Sequence, residues 1–156
     1  MIAGAVSSGE ITLIQEEIEL PERTLTIIKP ECVENKHIGD VIARVEKDGF
    51  AIKAMKMLQM SLEEARTFYE VHRQRDFYNE LTGYMSSGPV VVMVLEKENC
   101  IRAFRDFIGA TDPAKAAPGT IRRDFGKNIQ NNCVHASDSP ENAVREIRFF
   151  FPEMGR

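Results

Sequence analysis

The sequence predicts an α+β fold in which one four-stranded sheet packs against helices. Short β-branched or apolar runs alternate along the chain with segments whose apolar residues recur every three or four positions. The order is strand, helix, strand, helix, strand, helix, loop, strand, helix. Two β-α-β units with added pieces give a ferredoxin-like βαββαβ sandwich with an antiparallel sheet. A long inserted loop at about residues 109–126 and a C-terminal helix extend this core.

The composition is typical of a globular protein with one well-filled core. The chain has 156 residues, of which 43% are hydrophobic and 28% are charged. A formal net charge of -4 disfavours a main role in coating nucleic acid or anionic membrane. No apolar run is long enough to cross a bilayer, so we expect no membrane partner. Arginines concentrated in the last third nevertheless allow a local anion site: Arg102, Arg105, Arg122, Arg123, Arg145 and Arg148.

The cysteines are Cys32, Cys100 and Cys133, an odd number with no C-x-x-C pair. This pattern indicates neither a disulfide framework nor a zinc site, and a reducing, cytoplasmic location is the simplest interpretation. No basic residue precedes Arg23, so we expect neither a secretory signal nor an Arg-rich transit peptide.

Residues 1–21 differ in composition from the rest, with small residues first and an apolar, acidic stretch after them. We interpret them as a loose N-terminal arm or tag-like extension. The alternative is an arm that docks its isoleucines on a neighbouring subunit. The folded domain is predicted over residues 22–156.

The first half of the chain supplies two strands and two helices. Residues 24–28 are β-branched, and Pro30 stops strand pairing after them. Apolar residues at 38, 41, 42 and 45 have helical spacing, and Gly49 closes that helix. Residues 50–57 are predicted as the second strand. Ser61 and Glu64 form a capping box that begins a helix extending to His72.

The second half begins with short, irregular helices over residues 75–87. Residues 89–95 are continuously apolar, which predicts a strand buried on both faces. Ile101, Phe104 and Phe107 indicate another helix. Residues 109–126 are rich in Pro, Gly and Ala, and a structureless loop of this length in a compact domain is usually functional.

Residues 131–140 are predicted to form a short strand, a polar turn and a helix start. Strand alternation would place Cys133 and His135 on one face, opposite Asn132 and Val134. Ser139 is suited to the N-cap of the following helix, and Pro140 is suited to its first position.

In this stretch His135 lies near polar and charged residues that could assist catalysis, whereas the other two histidines do not. We interpret His37 and His72 as ordinary helix residues. His135 lies close in sequence to Ser137 and to Glu146 on the following helix. A neutral imidazole is a nucleophile at physiological pH, a carboxylate can fix its tautomer, and arginine forks bind phosphate. The residues permit phosphoryl transfer through a phosphohistidine, with a structural histidine as the alternative.

Five separated segments resemble the nucleoside diphosphate kinases. They are residues 23–30 (RTLTIIKP), 87–91 (SGPVV), 109–113 (GATDP), 118–122 (PGTIR) and 134–139 (VHASDS). The similarity runs from about Glu22 to Phe151. The resemblance implies ping-pong transfer of the γ-phosphate of a nucleoside triphosphate to a nucleoside diphosphate through His135, which balances NTP and dNTP pools. It also implies Mg²⁺ that is bound through the nucleotide phosphates and has no protein ligands.

The resemblance implies a role for each matching residue. In catalysis, Lys29 would act on the transferring phosphate, Glu146 would orient His135, and Ser137 would hydrogen-bond that carboxylate. The nucleotide-binding residues would be Lys29 and Tyr69 near the transferring phosphate, Arg105, Thr111 and Arg122 on the other phosphates, Asn132 on the ribose, Phe77 on the base, and Leu81 and Ile129 along the base slot.

Three positions depart from the usual family pattern. Ala136 and Gln130 stand where glycine is common, and Glu31 replaces aspartate. If position 136 requires a positive φ, alanine would strain the turn.

Family members are homo-oligomers, either hexamers or tetramers of dimers, so the resemblance implies an oligomer whose other partners are ATP and further nucleoside tri- and diphosphates. No specific nucleic acid is expected. Two alternatives stay open: a non-catalytic nucleotide-binding module on the same fold, and a nucleic-acid-binding protein that uses the arginine-rich last third.

Overall fold

A computed structural model describes residues 21–154, so nearly all of the predicted arm at residues 1–21 lies outside the described residues. Four strands form one antiparallel sheet in the order β2-β3-β1-β4. This is the α+β, ferredoxin-like arrangement that the sequence predicts, and the prediction of fold class is confirmed. The strands are β1 (Glu22–Ile28), β2 (Ala51–Leu58), β3 (Val90–Lys97) and β4 (Val134–Ala136).

Helices connect the strands and follow the last of them. No helix among the described residues combines the length and apolarity that a membrane span requires. Short 3-10 turns are present at Glu70–His72, Pro113–Lys115 and Pro152–Met154. The α-helices are α1 (Pro30–Glu34), α2 (Ile38–Lys47), α3 (Leu62–Phe68), α4 (Tyr78–Met85), α5 (Cys100–Ile108), α6 (Ile121–Phe125) and α7 (Pro140–Phe150).

Helices cover both faces of the sheet. On β3, Val91, Met93 and Leu95 pack in the core beneath α2 and α5. The alternate residues of the same strand, such as Val92 and Val94, pack in a second core beneath α3, α4 and α7. A strand buried on both faces needs apolar side chains at every position, and this explains the uninterrupted apolar run.

Side-chain caps begin the helices where the sequence predicts them. The Ser61 Oγ accepts a hydrogen bond from the Glu64 N–H at 3.0 Å, and the Glu64 carboxylate accepts one from the Ser61 N–H at 2.9 Å. Ser139 caps α7 by accepting from the Asn142 N–H at 3.1 Å, and Pro140 occupies the first turn. The cap fixes the start of α7 directly after β4, which is how these two elements come to share a site.

The inserted segment at residues 109–126 contains regular structure. The Asp112 carboxylate accepts from the Ala114 N–H at 3.0 Å and begins a 3-10 turn. The Thr120 Oγ accepts from the Arg123 N–H at 3.3 Å and begins α6. The prediction of a long structureless loop is therefore wrong, because these two caps each start a turn within a segment whose composition is typical of loops.

The histidine strand is shorter than predicted. Cys133 adopts a φ of 76°, and the strand begins only at Val134. The left-handed residue breaks the alternation, so Cys133, Val134 and Ala136 all pack in the core beneath α2 and α5. His135 faces the opposite side, and its predicted common face with Cys133 is wrong. Ala136 lies in extended strand, so alanine causes no strain at this position.

Cys32 and Cys133 are joined as a disulfide, with their Cα atoms 5.2 Å apart, and Cys100 is a buried free thiol. The expectation of no disulfide is wrong. The two residues are 101 positions apart in the sequence and meet only because β4 pairs with β1, so their spacing carries no signal. The bridge connects the segment just after Lys29 to the segment just before His135.

Candidate active site

The residues predicted to act together surround one cavity of about 460 Å³, which we call the site cavity. It lies at the ends of β1 and β4, between the α3–α4 region, the segment leading to β4, and α7. Ser137 lies behind its wall. The predicted residues that line it are Lys29, Tyr69, Phe77, Leu81, Arg105, Thr111, Arg122, Ile129, Asn132, His135 and Glu146.

A carboxylate holds the imidazole of His135. The His135 Nε2 lies 2.7 Å from the Glu146 Oε1, and the Ser137 hydroxyl donates to the same oxygen at 2.9 Å. The Leu25 N–H in turn donates to the Ser137 Oγ at 3.1 Å, which ties the group to β1. An ionised carboxylate accepts only, so we assign the ring proton to Nε2. The Nδ1 then carries the lone pair and is the nucleophilic nitrogen.

Glu146 is only 4% exposed and yet remains ionised. Burial by itself favours the neutral acid, but electrostatic attraction to the His135 ring and the hydrogen bonds from His135 and Ser137 outweigh it and lower the pKa of Glu146. The carboxylate is therefore available to stabilise a positive charge that develops on the ring.

Aromatic contacts and a backbone bond restrict the position of His135. The Phe68 and Tyr69 rings meet the imidazole edge-on, with centroids 5.4 and 6.0 Å away. The Thr26 hydroxyl donates to the His135 carbonyl at 2.8 Å. The ring is thus held from the sheet side and from α3, with a side chain that is 17% exposed toward the cavity.

Lys29 is buried at the end of β1. Its backbone is extended, with φ −71° and ψ 160°, as expected for a residue before proline. The Nζ donates to the Asn132 Oδ1 at 2.8 Å and to the Gln130 carbonyl at 3.1 Å. Burial, together with the charge of Arg122, lowers the pKa of Lys29 to about 7. An anion in the cavity would favour the ammonium form.

Arg122 forms a second buried cation. Its Nη2 donates to the Val134 carbonyl at 2.9 Å and its Nη1 to the Gly109 carbonyl at 3.2 Å. Burial, followed by the charge of Arg105, lowers the pKa of Arg122 to about 10, so the guanidinium remains charged at neutral pH. With Arg105 exposed on α5, the cavity carries a cationic side suited to phosphate.

Tyr69 supplies an unused hydrogen-bond donor. Within the described part of the chain, its buried hydroxyl has no hydrogen-bond partner. Burial and the charge of Glu146 raise the pKa of Tyr69, which keeps the hydroxyl protonated. A phosphate oxygen entering the cavity would give this donor the partner it lacks.

The mouth of the cavity is apolar and open. Phe77 is 41% exposed and Ile129 is 61% exposed, while Leu81 is half-buried between them and the core. The Arg75 guanidinium lies 5.2 Å from the centre of the Phe77 ring. Two large apolar side chains that remain exposed across an opening form a slot in which a flat base could stack.

Five further polar residues line the cavity that the sequence analysis did not assign to nucleotide binding: His72, Gln130, Asp138, Asn142 and Arg145. His72, interpreted above as an ordinary helix residue, belongs to the 3-10 turn at Glu70–His72. Burial, followed by the charge of Arg75, lowers the pKa of His72. The sequence signal for Asp138 was proximity to His135, and Arg145 was named only as one of the arginines of the last third.

Comparisons with known proteins agree on one family. The sequence pattern described as "Nucleoside diphosphate kinase" matches residues 22–155. The chain is similar to the nucleoside diphosphate kinase of Salinibacter ruber, with 55% identity over 85% of this chain and 93% of that one. A relative of the same name from an Anaeromyxobacter species is 58% identical over 85% of this chain and 90% of its own.

Solved structures give the same result. The Aquifex aeolicus nucleoside diphosphate kinase superposes with a TM-score of 0.84 at 47% identity, covering 86% of this chain and 98% of that one. The Encephalitozoon cuniculi enzyme superposes with a TM-score of 0.82 at 33% identity, covering 86% of this chain and 92% of its own.

The fold and these relatives define a phosphotransferase that binds nucleoside tri- and diphosphates. The chain belongs to the nucleoside diphosphate kinase family. It transfers the terminal phosphate of a nucleoside triphosphate to a nucleoside diphosphate, and the general mechanism of the family is a ping-pong reaction through a phosphohistidine.

Proposed function

We propose that His135 is the residue that carries the phosphoryl group in this chain. The observation that supports this most directly is the 2.7 Å contact between the His135 Nε2 and Glu146, which leaves Nδ1 free at the wall of the site cavity. His37, in contrast, pairs with Asp40 on α2, and His72 has no carboxylate contact of this kind among the described residues.

In the first half-reaction, the His135 Nδ1 lone pair attacks the γ-phosphorus. An N–P bond forms as the bond to the bridging oxygen breaks, and the nucleoside diphosphate leaves with those electrons. The ring becomes positively charged, and the ionised Glu146 stabilises it through the retained Nε2–H. In the second half-reaction, a terminal phosphate oxygen of a different nucleoside diphosphate attacks the phosphorus. A P–O bond forms as the N–P bond breaks, and its electron pair returns to Nδ1, which restores the neutral ring.

Lys29 and Tyr69 are proposed to stabilise the transferring phosphoryl group. The Lys29 ammonium supplies a point charge, and the Tyr69 hydroxyl supplies a donor that is otherwise unpartnered. Arg105, Thr111 and Arg122 would bind the remaining phosphates, and the last of these is already oriented by two backbone carbonyls.

Asn132 is proposed to meet the ribose. Its Oδ1 accepts from Lys29 and its Nδ2 donates to the Thr111 carbonyl at 3.0 Å, so the amide is oriented at the boundary between the phosphate and base ends of the cavity. Phe77, Leu81 and Ile129 would hold the base by stacking and apolar contact. Every base has a π face, so this slot suits a broad range of nucleotides.

We propose Mg²⁺ as the cofactor, bound through the nucleotide phosphates. Among residues 21–154, no group of three or more His, Cys, Asp or Glu side chains is placed to hold a metal ion. Asp138 is a carboxylate in the cavity lining that would accept hydrogen bonds from the ion's waters. When bound, Mg²⁺ supplies charge neutralisation at the β- and γ-phosphate oxygens.

We also propose a homo-oligomer, either a hexamer or a tetramer, that is built from dimers. The edge strand β2 supports this proposal, because Met55 and Met57 are 52% and 57% exposed on a strand whose outer edge has no partner among residues 21–154. Light scattering on the intact chain and on a variant lacking residues 1–20 would give both the assembly state and the contribution of the proposed arm. A monomer in both cases would contradict the proposal.

A cytoplasmic location is proposed because the family acts on nucleoside di- and triphosphates, which are cytoplasmic metabolites. The bridge between Cys32 and Cys133 argues in the other direction, since structural disulfides are rare in the cytosol. Cell fractionation followed by activity assay of each fraction would decide the location.

Labelling with ATP that carries ³²P at the γ position tests the central proposal. The wild-type protein should acquire an acid-labile, base-stable label that is chased off by an unlabelled nucleoside diphosphate. H135A should acquire none, whereas H37A, which alters the half-buried histidine just before α2 and outside the site cavity, should label normally. Full labelling of H135A, or label mapped to another residue, would overturn the assignment.

A further inference from the structure

Arg145 lies between the catalytic carboxylate and the end of α3. Its Nη2 is 3.6 Å from the Glu146 Oε2, and its Nη1 donates to the Phe68 carbonyl at 3.2 Å. The guanidinium carbon lies 5.8 Å from the centre of the Phe68 ring. Adjacent residues of a helix do not face each other. The Arg145 side chain therefore has to reach across the Phe68 ring to approach the carboxylate of its neighbour.

The two oxygens of Glu146 have different partners. The Oε1 accepts from both His135 and Ser137, while the Oε2 has Arg145 as its nearest cation. A carboxylate can rotate about its terminal torsion, and such torsions are broad. A cation at the Oε2 holds the plane of the group so that the Oε1 stays directed at both donors.

We propose that Arg145 is a positioning residue for the reaction. It orients the Glu146 carboxylate and keeps it ionised, and through that carboxylate it orients the His135 ring. It also joins α7 to the end of α3. This inference rests on the proposed role of His135 and Glu146. The contact with the Phe68 carbonyl adds a second function, because Phe68 and Tyr69 form the aromatic wall beside the imidazole.

The charge of Arg145 predicts a pH signature. The titratable and charged groups that face Glu146 are His135 from β4, Tyr69 from the end of α3, and Arg145 from α7. The charge of Arg145 is one of the causes that lower the pKa of Glu146. Removing that charge makes protonation of Glu146 easier, so the acid limb of the phosphorylation rate should move to higher pH.

Single-turnover phosphorylation of His135 by ATP, measured from pH 5 to pH 9, tests the inference. R145M keeps the apolar stem and should slow phosphorylation by about tenfold at pH 7, the order expected for a partly exposed charged contact. The acid limb of its pH–rate profile should shift to higher pH, while KM for the nucleotide changes little. R145K keeps the charge and should restore the acid limb, with part of the rate. R148M alters an exposed arginine on the same helix and should match the wild type.

The outcomes separate the inference from the proposed site. If wild-type protein is not labelled at His135, the site assignment itself fails. If the wild type is labelled and R145M keeps its full rate and acid limb, only the inference fails. The rate of R145M could also fall while its acid limb stays in place and R145K is equally slow. That result would indicate that Arg145 acts only through packing, and it would also overturn the inference. Circular dichroism melts of each variant distinguish slow catalysis from loss of fold.

Discussion

The inner wall of the site cavity and its rim are built on opposite principles. The inner wall consists of Lys29, Asn132, His135 and Glu146, whose side chains are buried or nearly so and are each held by at least one hydrogen bond to another of these side chains. The rim consists of Phe77 and Ile129, which are apolar and exposed, and Leu81, which is apolar and half-buried. The wall fixes atoms for one chemical step, whereas the rim offers surface that any base can cover. Chemical precision and broad substrate range therefore reside in different parts of one site.

The largest effect should follow a change in the inner wall. E146Q keeps the shape of the side chain but removes the charge that stabilises the phosphorylated ring, and its amide can donate to Nε2 and select the wrong tautomer. We expect His135 phosphorylation to slow on the order of a thousandfold. Rapid-quench single-turnover assays measure this rate. E141Q, an exposed residue in the first turn of the same helix, is the matched control. A rate loss of less than tenfold would show that the charge of Glu146 is not needed for the chemical step.

A change in the rim should affect binding and leave chemistry nearly intact. F77A removes the stacking surface, and KM should rise by about tenfold for purine and pyrimidine diphosphates alike, with kcat within a factor of about two. Steady-state kinetics with ADP and CDP provide the measurement. L62A removes an exposed apolar side chain outside the cavity and should have no effect. A large fall in kcat for F77A would contradict the idea that the inner wall serves chemistry and the rim serves binding.

The low pKa of Lys29 predicts pH-dependent binding. With a pKa of about 7, Lys29 loses its proton as the pH rises through that value, whereas a bound phosphate requires the ammonium. Binding should therefore be accompanied by proton uptake, and affinity for a nucleoside diphosphate should fall about fivefold from pH 7 to pH 8. Calorimetry in buffers of different ionisation enthalpy measures the uptake. K29R, whose charge is permanent, should bind without it; equal uptake by K29R would assign the proton elsewhere.

Reduction of the Cys32–Cys133 bridge should change activity least and stability appreciably. The bridge closes a segment of 101 positions, and such a cross-link contributes up to about 4–5 kcal/mol through the unfolded state. We expect reductant to lower the melting temperature by roughly 10 °C, with activity at 25 °C within about twofold. C100A should still respond to reductant and C32A/C133A should not. A melting temperature insensitive to reductant in the wild type would show that the bridge adds no stability.

Local signals allowed much of the fold to be predicted. Caps at Ser61 and Ser139, and apolar periodicity at the helices, act within a few residues, so the sequence displays them directly. The buried strand β3 was equally clear, because burial on both faces leaves no polar position. The missed α1 and α6 are only five residues long each, too short for a period to show.

The site was predicted only as far as resemblance extended. The residues predicted to bind nucleotide do line the cavity, but their individual roles remain predictions. His72 and the Cys32–Cys133 bridge were missed, and Arg145 was named only as one of the arginines of the last third, without a role beside Glu146. Each depends on contacts between segments far apart in the chain, and these leave no trace in local spacing.

The position of His135 and Glu146 on the last strand and the last described helix has a consequence during synthesis. A ribosome makes Lys29 early and Glu146 more than a hundred residues later, so a nascent chain can hold three strands of the sheet and still have no reactive imidazole in place. The protein cannot begin to consume ATP until β4 has paired with β1 and α7 has docked. Catalytic competence thus reports that β4 and α7 have been synthesised and have folded onto the sheet.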